Sequence, residues 1–353
     1  MATRTPAMDL TDRQLLNVLQ SDFPLAEEPY KVLGARLELT EGEVIERIAR
    51  LKKRNVVRQV SAIFDTRRLG YETCLVAFRY PPELLNKGAY RVNKHPGVSH
   101  NYARNGYFNL WFTIAVPPDD DLQSTVERLA RETGAIAARV MPTIRFFKIG
   151  VNFDMVAEKG AAYDYYSPDG FAKQAAPKGG VKGLNEQWNK AEALTPFEID
   201  VIRELQEDLP LEGRPFDAMA ARLGLSVTEL FDQAAAFQRR GIMRRYSAVL
   251  YHRKAGFSHN AMAVWKVPEE RAVEVGLTMA ESPWVTHCYQ RPTFPDWEYT
   301  HFTMIHAPTK EQCEQVAGDI ARQTGIADYQ LLYSTREYKK TRVRYFVEHE
   351  AKV

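Results

Sequence analysis

The feature that most constrains this chain is that its second half repeats the landmarks of its first half in the same order. Phe23-Pro24-Leu25 corresponds to Leu209-Pro210-Leu211, and Ser61-Ala62 corresponds to Ser247-Ala248. The repeat unit is about 150 residues long, and a tandem duplication of this kind predicts two copies of one fold.

Each copy begins with a pattern that predicts three helices and a short β-hairpin. In the first copy, Thr40 followed by Glu43 is a capping box that begins the third helix. Apolar residues then recur at helical spacing, and the same pattern follows Ser226 in the second copy. A winged helix-turn-helix is therefore expected in each half. The first-copy helices are predicted at about residues 12–21, 30–37 and 40–54.

The rest of each copy alternates strand and helix patterns. Asn105-Gly106 is the strongest short hairpin signal in the first copy. The order βαββαβ is that of the ferredoxin-like fold, and the second copy repeats it. First-copy strands are predicted at about 71–80, 97–104, 108–116 and 136–149, with helices at about 82–94 and 119–133.

These patterns predict an α+β chain in which a winged helix-turn-helix and a ferredoxin-like domain occur twice. The segment between the copies has little periodicity and is interpreted as a linker draped over the surface and pinned by Trp188. Two sheets on one chain also favour an internal pseudo-dimer. The predicted domains are a winged helix-turn-helix (8–65), a ferredoxin-like domain (66–150), the linker (151–193), a second winged helix-turn-helix (194–252) and a second ferredoxin-like domain (253–346).

Both copies carry the motif Val-Ser/Thr-His-x-Tyr-x-Arg on a predicted strand. Alternate residues of a strand share one face, so the His, Tyr and Arg are expected on the same side of the sheet. Histidine titrates near neutral pH, which makes this face the candidate functional site. The alternative is that these residues are structural and that the duplication reproduced them in the second copy. The motif residues are His100, Tyr102 and Arg104 in the first copy and His287, Tyr289 and Arg291 in the second.

The composition gives no global argument for a nucleic-acid or membrane partner. The net charge is +2, with 45% hydrophobic and 26% charged residues. No stretch approaches the roughly 20 apolar residues of a membrane span, and the start of the chain lacks a signal-peptide pattern. Cys74, Cys288 and Cys313 have no metal-ligand spacing. We expect a cytoplasmic protein with reduced thiols.

Four motifs give the chain a family resemblance over nearly its whole length outside the linker. A helix-turn-helix followed by a ferredoxin-like domain resembles the Lrp/AsnC transcription regulators, and the motifs more closely resemble the siroheme decarboxylases. The resemblance implies loss of the C12 and C18 acetate carboxyls of siroheme as CO2, with fusion of both subunit types typical of haem d1 synthesis. The motifs lie at 19–30, 64–71, 100–113 and 287–306.

The resemblance implies a proton donor and a set of carboxylate-binding cations. His287 would supply the proton and Arg291 would hold carboxylates, with His100 and Arg104 equivalent in the first copy. Siroheme brings its own iron, so no separate cofactor is expected. Coordination of that iron by His287 or His100 is an alternative. Further candidates for substrate contact are Tyr102, Tyr289, Trp111, Trp297, Arg145, Lys148, Arg336 and Lys340; core packing is the alternative for both tryptophans.

Two other classes of protein stay open at this point. One is a DNA-binding regulator that senses a small molecule, although the third helix begins Thr40-Glu41-Gly42-Glu43, which would repel phosphate. The other is a tetrapyrrole carrier without turnover, which needs the same basic pocket. In the first copy Asn105-Gly106 replaces a His of the family pattern, so whether both halves react is open. The role of His301 is also open.

Overall fold

The computed structural model describes residues 8–21, 23–150, 155–156, 164–167, 170–173, 190–250 and 259–347. The chain divides into two compact units. The first holds residues 1–65, 151–164 and 194–258, and the second holds 66–150, 165–193 and 259–353. The helix-turn-helix parts of both copies thus belong to one unit and the β-rich parts to the other.

The helices are α1 (Leu10–Ser21), α2 (Pro29–Leu37), α3 (Glu41–Lys53), α4 (Pro82–Val92), α5 (Leu122–Thr133), α6 (Pro196–Leu205), α7 (Asp217–Arg222), α8 (Val227–Arg239), α9 (Ala272–Glu281) and α10 (Lys310–Thr324). The strands are β1 (Val57–Phe64), β2 (Glu72–Arg79), β3 (Val98–Arg104), β4 (Leu110–Val116), β5 (Ala137–Met141), β6 (Arg145–Gly150), β7 (Asp164–Ser167), β8 (Gly170–Lys173), β9 (Met243–Leu250), β10 (His259–Trp265), β11 (Val285–Gln290), β12 (His301–Ala307) and β13 (Tyr329–Lys340). None of the helices in the described ranges has the length and apolar character needed to cross a membrane.

The first unit confirms the predicted helix starts. Thr40 and Glu43 form a reciprocal capping box at α3, and Ser226 and Glu229 form the same box at α8. The predicted short hairpin is wrong, however. β1 pairs antiparallel with β9, with Ser61 opposite Ser247, so each copy contributes one strand to a shared two-stranded sheet.

The described residues form one large sheet of eleven strands, almost entirely within the second unit, in the order β5-β2-β4-β3-β13-β10-β12-β11-β6-β7-β8. Within it, β5-β2-β4-β3 and β13-β10-β12-β11 each follow the 4-1-3-2 order of a βαββαβ domain. The predicted ferredoxin-like arrangement is therefore confirmed in both copies, and the two halves join through continuous strand pairing.

The fourth strand of each copy makes this join. The sequence predicted a single strand at 136–149, but Pro142, which has no N–H to donate, lies in a break between β5 and β6. β5 pairs with β2 of its own copy, and β6 pairs with β11 of the other. In the second copy, β13 continues without a break and pairs first with β10 and then with β3.

The described part of the predicted linker includes two strands. β7 and β8 extend the sheet, and Ile149 of β6 lies opposite Tyr166 of β7. Trp188 lies outside the described residues.

The two faces of the large sheet differ in what covers them. Val76, Val92 and Val126 belong to a cluster that packs β2 beneath α4 and α5, and the second copy has an equivalent cluster beneath α9 and α10. The opposite face holds a third apolar cluster that includes Met262 and Leu332. Burying each such side chain stabilises the fold by about 1.5–3 kcal/mol.

Candidate functional site

The twin motifs form two ladders on the face opposite the helices. His100 stacks on Tyr102 with ring centroids 6.4 Å apart, and Arg104 lies 5.5 Å from the Tyr102 centroid. The second-copy ladder has the same arrangement, with the imidazole and phenol rings 6.1 Å apart and the Arg291 guanidinium 4.9 Å from the Tyr289 ring. Each ladder therefore places an imidazole, a phenol and a guanidinium in one row.

The residues between the ladder positions point toward the helices. Asn101 donates to the Ala89 carbonyl of α4 at 3.0 Å. Cys288 is buried beneath α9, where its thiol lies 3.6 Å from the Gly276 carbonyl. Burial raises the pKa of this thiol well above its ordinary value, so Cys288 packs as a small apolar residue.

Each ladder arginine reaches the fourth strand of the other copy. Arg104 donates from Nη1 to the Leu332 carbonyl at 2.8 Å. Arg291 donates from Nη1 to the Met141 carbonyl. The Arg291 side chain is only 8% exposed, and burial lowers its pKa. Within the described part of the chain its Nε has no hydrogen-bond acceptor.

A second histidine adjoins the second-copy ladder. The Oγ1 of Thr286 lies 3.0 Å from Nδ1 of His306 and 3.0 Å from Nδ1 of His287. His306 is 8% exposed. Burial, followed by the positive charges of His287, Lys340 and Arg104, lowers the pKa of His306 to about 3. His306 is thus neutral at pH 7 and lies in an electropositive surrounding.

Strand pairing links this histidine to the first-copy ladder. His306 lies opposite Asn260 on β10. Asn260 accepts a hydrogen bond from Ser334 on β13 at 3.3 Å, and Ser334 lies opposite Arg104 on β3. Direct cross-strand neighbours share a face, so a polar row crosses the sheet from His287 to Arg104.

The first copy lacks this second imidazole. Ser99 Oγ lies 3.1 Å from Nδ1 of His100, as Thr286 does from His287. Ala115 pairs with Thr73 where His306 pairs with Asn260, so alanine occupies the equivalent position. The sequence prediction did not single out His306. Its alternation with Phe302 and Met304 on β12 is the signal that places it on the ladder face.

Of the four additional basic candidates, Arg145, Lys148, Arg336 and Lys340, only Lys340 lies beside the polar row. Lys340 lies opposite His100 on the neighbouring strand and contributes to the field at His306. Lys148 instead donates to the Ser282 carbonyl at the end of α9 at 3.0 Å. In the same way, Lys339 donates to the Asn93 carbonyl at the end of α4 at 2.9 Å. A cation at a helix C-terminus complements the helix dipole, so Lys148 caps a helix.

Arg145 and Arg336 are also held away from the ladders. Arg145 donates to Gln290 at 3.1 Å, and Gln290 in turn donates to Glu269 beside α9. Arg336 is exposed and donates to Asn86 of α4 at 3.0 Å. The expectation that Arg145, Lys148 and Arg336 line the pocket differs from this placement. Arg145 and Lys148 lie opposite Gln290 and Cys288, which face the helices, and an irregularity in the β6–β11 register lets two residues three positions apart share that face.

The two candidate tryptophans are buried together beneath the ladders. Trp111 and Trp297 are 1% and 3% exposed, and their ring centroids are 5.3 Å apart. Trp111 lies opposite Tyr102 as Phe302 lies opposite Tyr289, so the counterpart of Trp111 is Phe302. The packing alternative accounts for this placement, and contact with substrate stays a prediction.

His301, whose role was open, is a buried structural residue. It is fully buried, and its Nε2 lies 2.8 Å from the Ala272 carbonyl of α9. Burial lowers the pKa of His301 to about 4. The neutral ring therefore connects β12 to the helix layer and takes no part in the ladder.

Two protein-family models match this chain. An AsnC-like ligand-binding domain matches residues 68–148 and 254–339. A siroheme decarboxylase NirDL-like helix-turn-helix domain matches residues 12–58 and 198–244. Together these segments cover more than half of the chain, and both domains are matched twice.

Known proteins are similar over the full length or over one half. The siroheme decarboxylase of Hydrogenobacter thermophilus is 39% identical over 95% of both chains. The siroheme decarboxylase beta subunit of Methanosarcina barkeri is 46% identical over 42% of this chain and 97% of its own length. The crystal structure of the siroheme decarboxylase NirDL with an iron-uroporphyrin III analogue has a TM-score of 0.69 at 34% identity, covering 96% of this chain and 95% of that one. This chain belongs to the siroheme decarboxylase family.

Proposed function

We propose that this protein decarboxylates siroheme, converting the C12 and C18 acetates to methyl groups and releasing two molecules of CO2. The observation that carries the proposal is the polar row in which His287, His306, Lys340 and Arg104 share one face of the sheet. Support also comes from the solved relative, which binds an iron-uroporphyrin III analogue. The product is a precursor suited to haem d1 synthesis.

The charges of the site suit a polyacidic macrocycle. Siroheme carries eight carboxylates, and arginine binds carboxylates in a bidentate geometry. Arg104, Arg291 and Lys340 supply positive charge on the ladder face. Two buried donors, Nε of Arg291 and Nε1 of Trp297, have no hydrogen-bond acceptor among the described residues. Buried donors of this kind favour a ligand rich in acceptor oxygens.

The reaction needs a proton for each carboxyl group that leaves. Protonation of a ring carbon beside the acetate creates an electron sink, and the bond between the acetate methylene and its carboxylate then breaks. The electron pair of that bond enters the protonated ring system, CO2 departs, and tautomerisation leaves a methyl group. One proton is consumed per CO2 and no oxidant is required. The iron remains in the substrate.

His287 is the proposed proton donor. Its Nδ1 lies 3.0 Å from Thr286 Oγ1, and the proposal assigns the proton transfer to Nε2. General acid catalysis by a positioned side chain typically accelerates a reaction by about 10²–10⁴-fold. The proposed contributions of Arg291 and Arg104 are to orient the carboxylates and to exclude water from them.

Anaerobic incubation with siroheme followed by mass spectrometry tests this function. We expect the loss of one and then two CO2 per siroheme. Siroheme that binds, giving a shifted absorption spectrum, but keeps its mass over many hours would indicate a carrier and contradict the proposal.

The regulator alternative is opposed by contacts within the first unit. Arg47 and Arg50, on the helix that would read DNA, both bind the buried carboxylate of Asp12, at 2.8 and 2.7 Å. Arg47 also pairs with Asp9. Cations neutralised in this way contribute little to phosphate binding. Fluorescence anisotropy with genomic fragments at physiological salt decides the matter, and tight, sequence-specific binding would reverse the assignment.

A further inference from the structure

We propose that Thr286 and His306 are positioning residues that fix the tautomer and orientation of His287, and that the second copy therefore delivers the protons. The inference deepens the proposed decarboxylation and rests on it. It is carried by one hydroxyl group that contacts two imidazoles and a backbone carbonyl at the same time.

The number of protons on that hydroxyl restricts its hydrogen bonds. Thr286 Oγ1 lies 3.3 Å from the Met304 carbonyl and 3.0 Å from Nδ1 of both His287 and His306. A hydroxyl has one proton to donate and two lone pairs that accept. The Met304 carbonyl can only accept. All three contacts are hydrogen bonds in just one arrangement, in which Thr286 donates to Met304 and both Nδ1–H groups donate to Thr286.

This arrangement determines how His287 meets its substrate. Its Nδ1–H is held by Thr286, and any further proton that the ring acquires resides on Nε2, away from the strand. His306 is buried beside Asn260, so it holds its side of Thr286 in one place. Thr286 is also β-branched, and its χ1 angle is restricted.

The first copy has the same ladder without this support. Ser99 takes the place of Thr286, with an unbranched side chain and Oγ 3.1 Å from His100 Nδ1. Ala115 takes the place of His306 and has no donor to offer. Ala115 therefore cannot hold the Ser99 hydroxyl as His306 holds that of Thr286. The duplication has thus produced one supported imidazole and one less constrained one.

Paired substitutions in the two copies test the proposal. The variants are Thr286→Val, Thr286→Ser, His306→Ala and, as the matched control, Ser99→Ala. We expect Thr286→Val and His306→Ala to lower kcat by about 10²-fold, the order expected for a misplaced catalytic group. The dissociation constant for iron-uroporphyrin III, measured by absorbance titration, should change less than about twofold in both. Thr286→Ser should recover most of the rate, and Ser99→Ala should lower it much less than Thr286→Val does.

A spectroscopic readout separates positioning from loss of structure. In ¹⁵N-resolved NMR of the wild type, the neutral rings of His287 and His306 should both carry their proton on Nδ1. The His287 signal should lose that single-tautomer signature in Thr286→Val, while the thermal melt stays cooperative. If His306→Ala fails to fold, His306→Gln replaces it in the same assays.

The outcomes distinguish this inference from the function on which it rests. A wild-type protein that releases no CO2 contradicts the proposed function itself. An active wild type with an equally active Thr286→Val variant overturns only the positioning role. An equal loss of rate in Ser99→Ala and Thr286→Val overturns the inference that the second copy, rather than the first, delivers the protons.

Discussion

Arg104 Nη1 donates to the Leu332 carbonyl at 2.8 Å, which joins the ladder of the first copy to the fourth strand of the second. Arg291 makes the reciprocal contact with Met141 of the first copy. Neither arginine would have this acceptor in a single copy. The candidate site therefore depends on the duplication, because each half completes the guanidinium geometry of the other.

Removal of the ladder imidazoles should separate the two halves of the site. We expect His287→Ala to lower the rate of CO2 release by about 10²–10⁴-fold, because general acid catalysis is lost. His100→Ala should have a smaller effect, since His100 lacks the neighbouring imidazole. Mass-resolved time courses with siroheme measure both rates. A His287→Ala variant with the wild-type rate would remove this residue from the proton transfer.

Replacement of Arg291 should affect binding more than stability. Arg291 is 8% exposed, and a buried cation carries a desolvation cost that an apolar side chain avoids. In Arg291→Met the removal of this desolvation cost stabilises the fold and offsets the lost hydrogen bond to the Met141 carbonyl, which is worth about 1 kcal/mol. We expect the free energy of unfolding in urea to fall by no more than about 1 kcal/mol, while the affinity for iron-uroporphyrin III drops at least tenfold. Arg336→Met, on the exposed helix side, is the control and should retain full affinity.

Lys148 should make stability rise with alkaline pH. Burial lowers the pKa of Lys148 from 10.5 to about 8, so between these values the unfolded chain binds more protons than the folded one. Stability then increases as the pH rises from 8 to 10.5, by at most about 3 kcal/mol. Urea titrations at each pH should show this slope in the wild type and a weaker slope in Lys148→Met. Replacement of the exposed Lys310 should leave the slope unchanged. A full slope that persists in Lys148→Met would assign it to another group.

His301 should make the protein sensitive to acid. Burial lowers its pKa from 6.5 to about 4, so the unfolded state takes up a proton first as the pH falls through this range. The resulting loss of stability reaches at most about 3 kcal/mol at pH 4. His301→Gln keeps a donor for the Ala272 carbonyl and removes this titration, so thermal melts between pH 6.5 and 4 should show a smaller decline. An identical decline in the variant would show that groups other than His301 cause the acid sensitivity.

The sequence by itself determined the architecture of each copy. Local patterns such as Thr40 with Glu43 predict helix starts, because a capping box involves residues only three positions apart. Strand alternation likewise placed His287, Tyr289 and Arg291 on one face, because side chains in a strand repeat every two residues. These features are local, and a single sequence contains them.

Only the tertiary structure decided which residues meet across the sheet. Lys148 and Lys340 were equivalent candidates in the sequence, but one caps α9 and the other adjoins the polar row. Strand pairing brings His306 to Thr286 and sets Arg104 against Leu332. Pairing between distant segments depends on register and on the break at Pro142, and these arise from packing of the whole sheet.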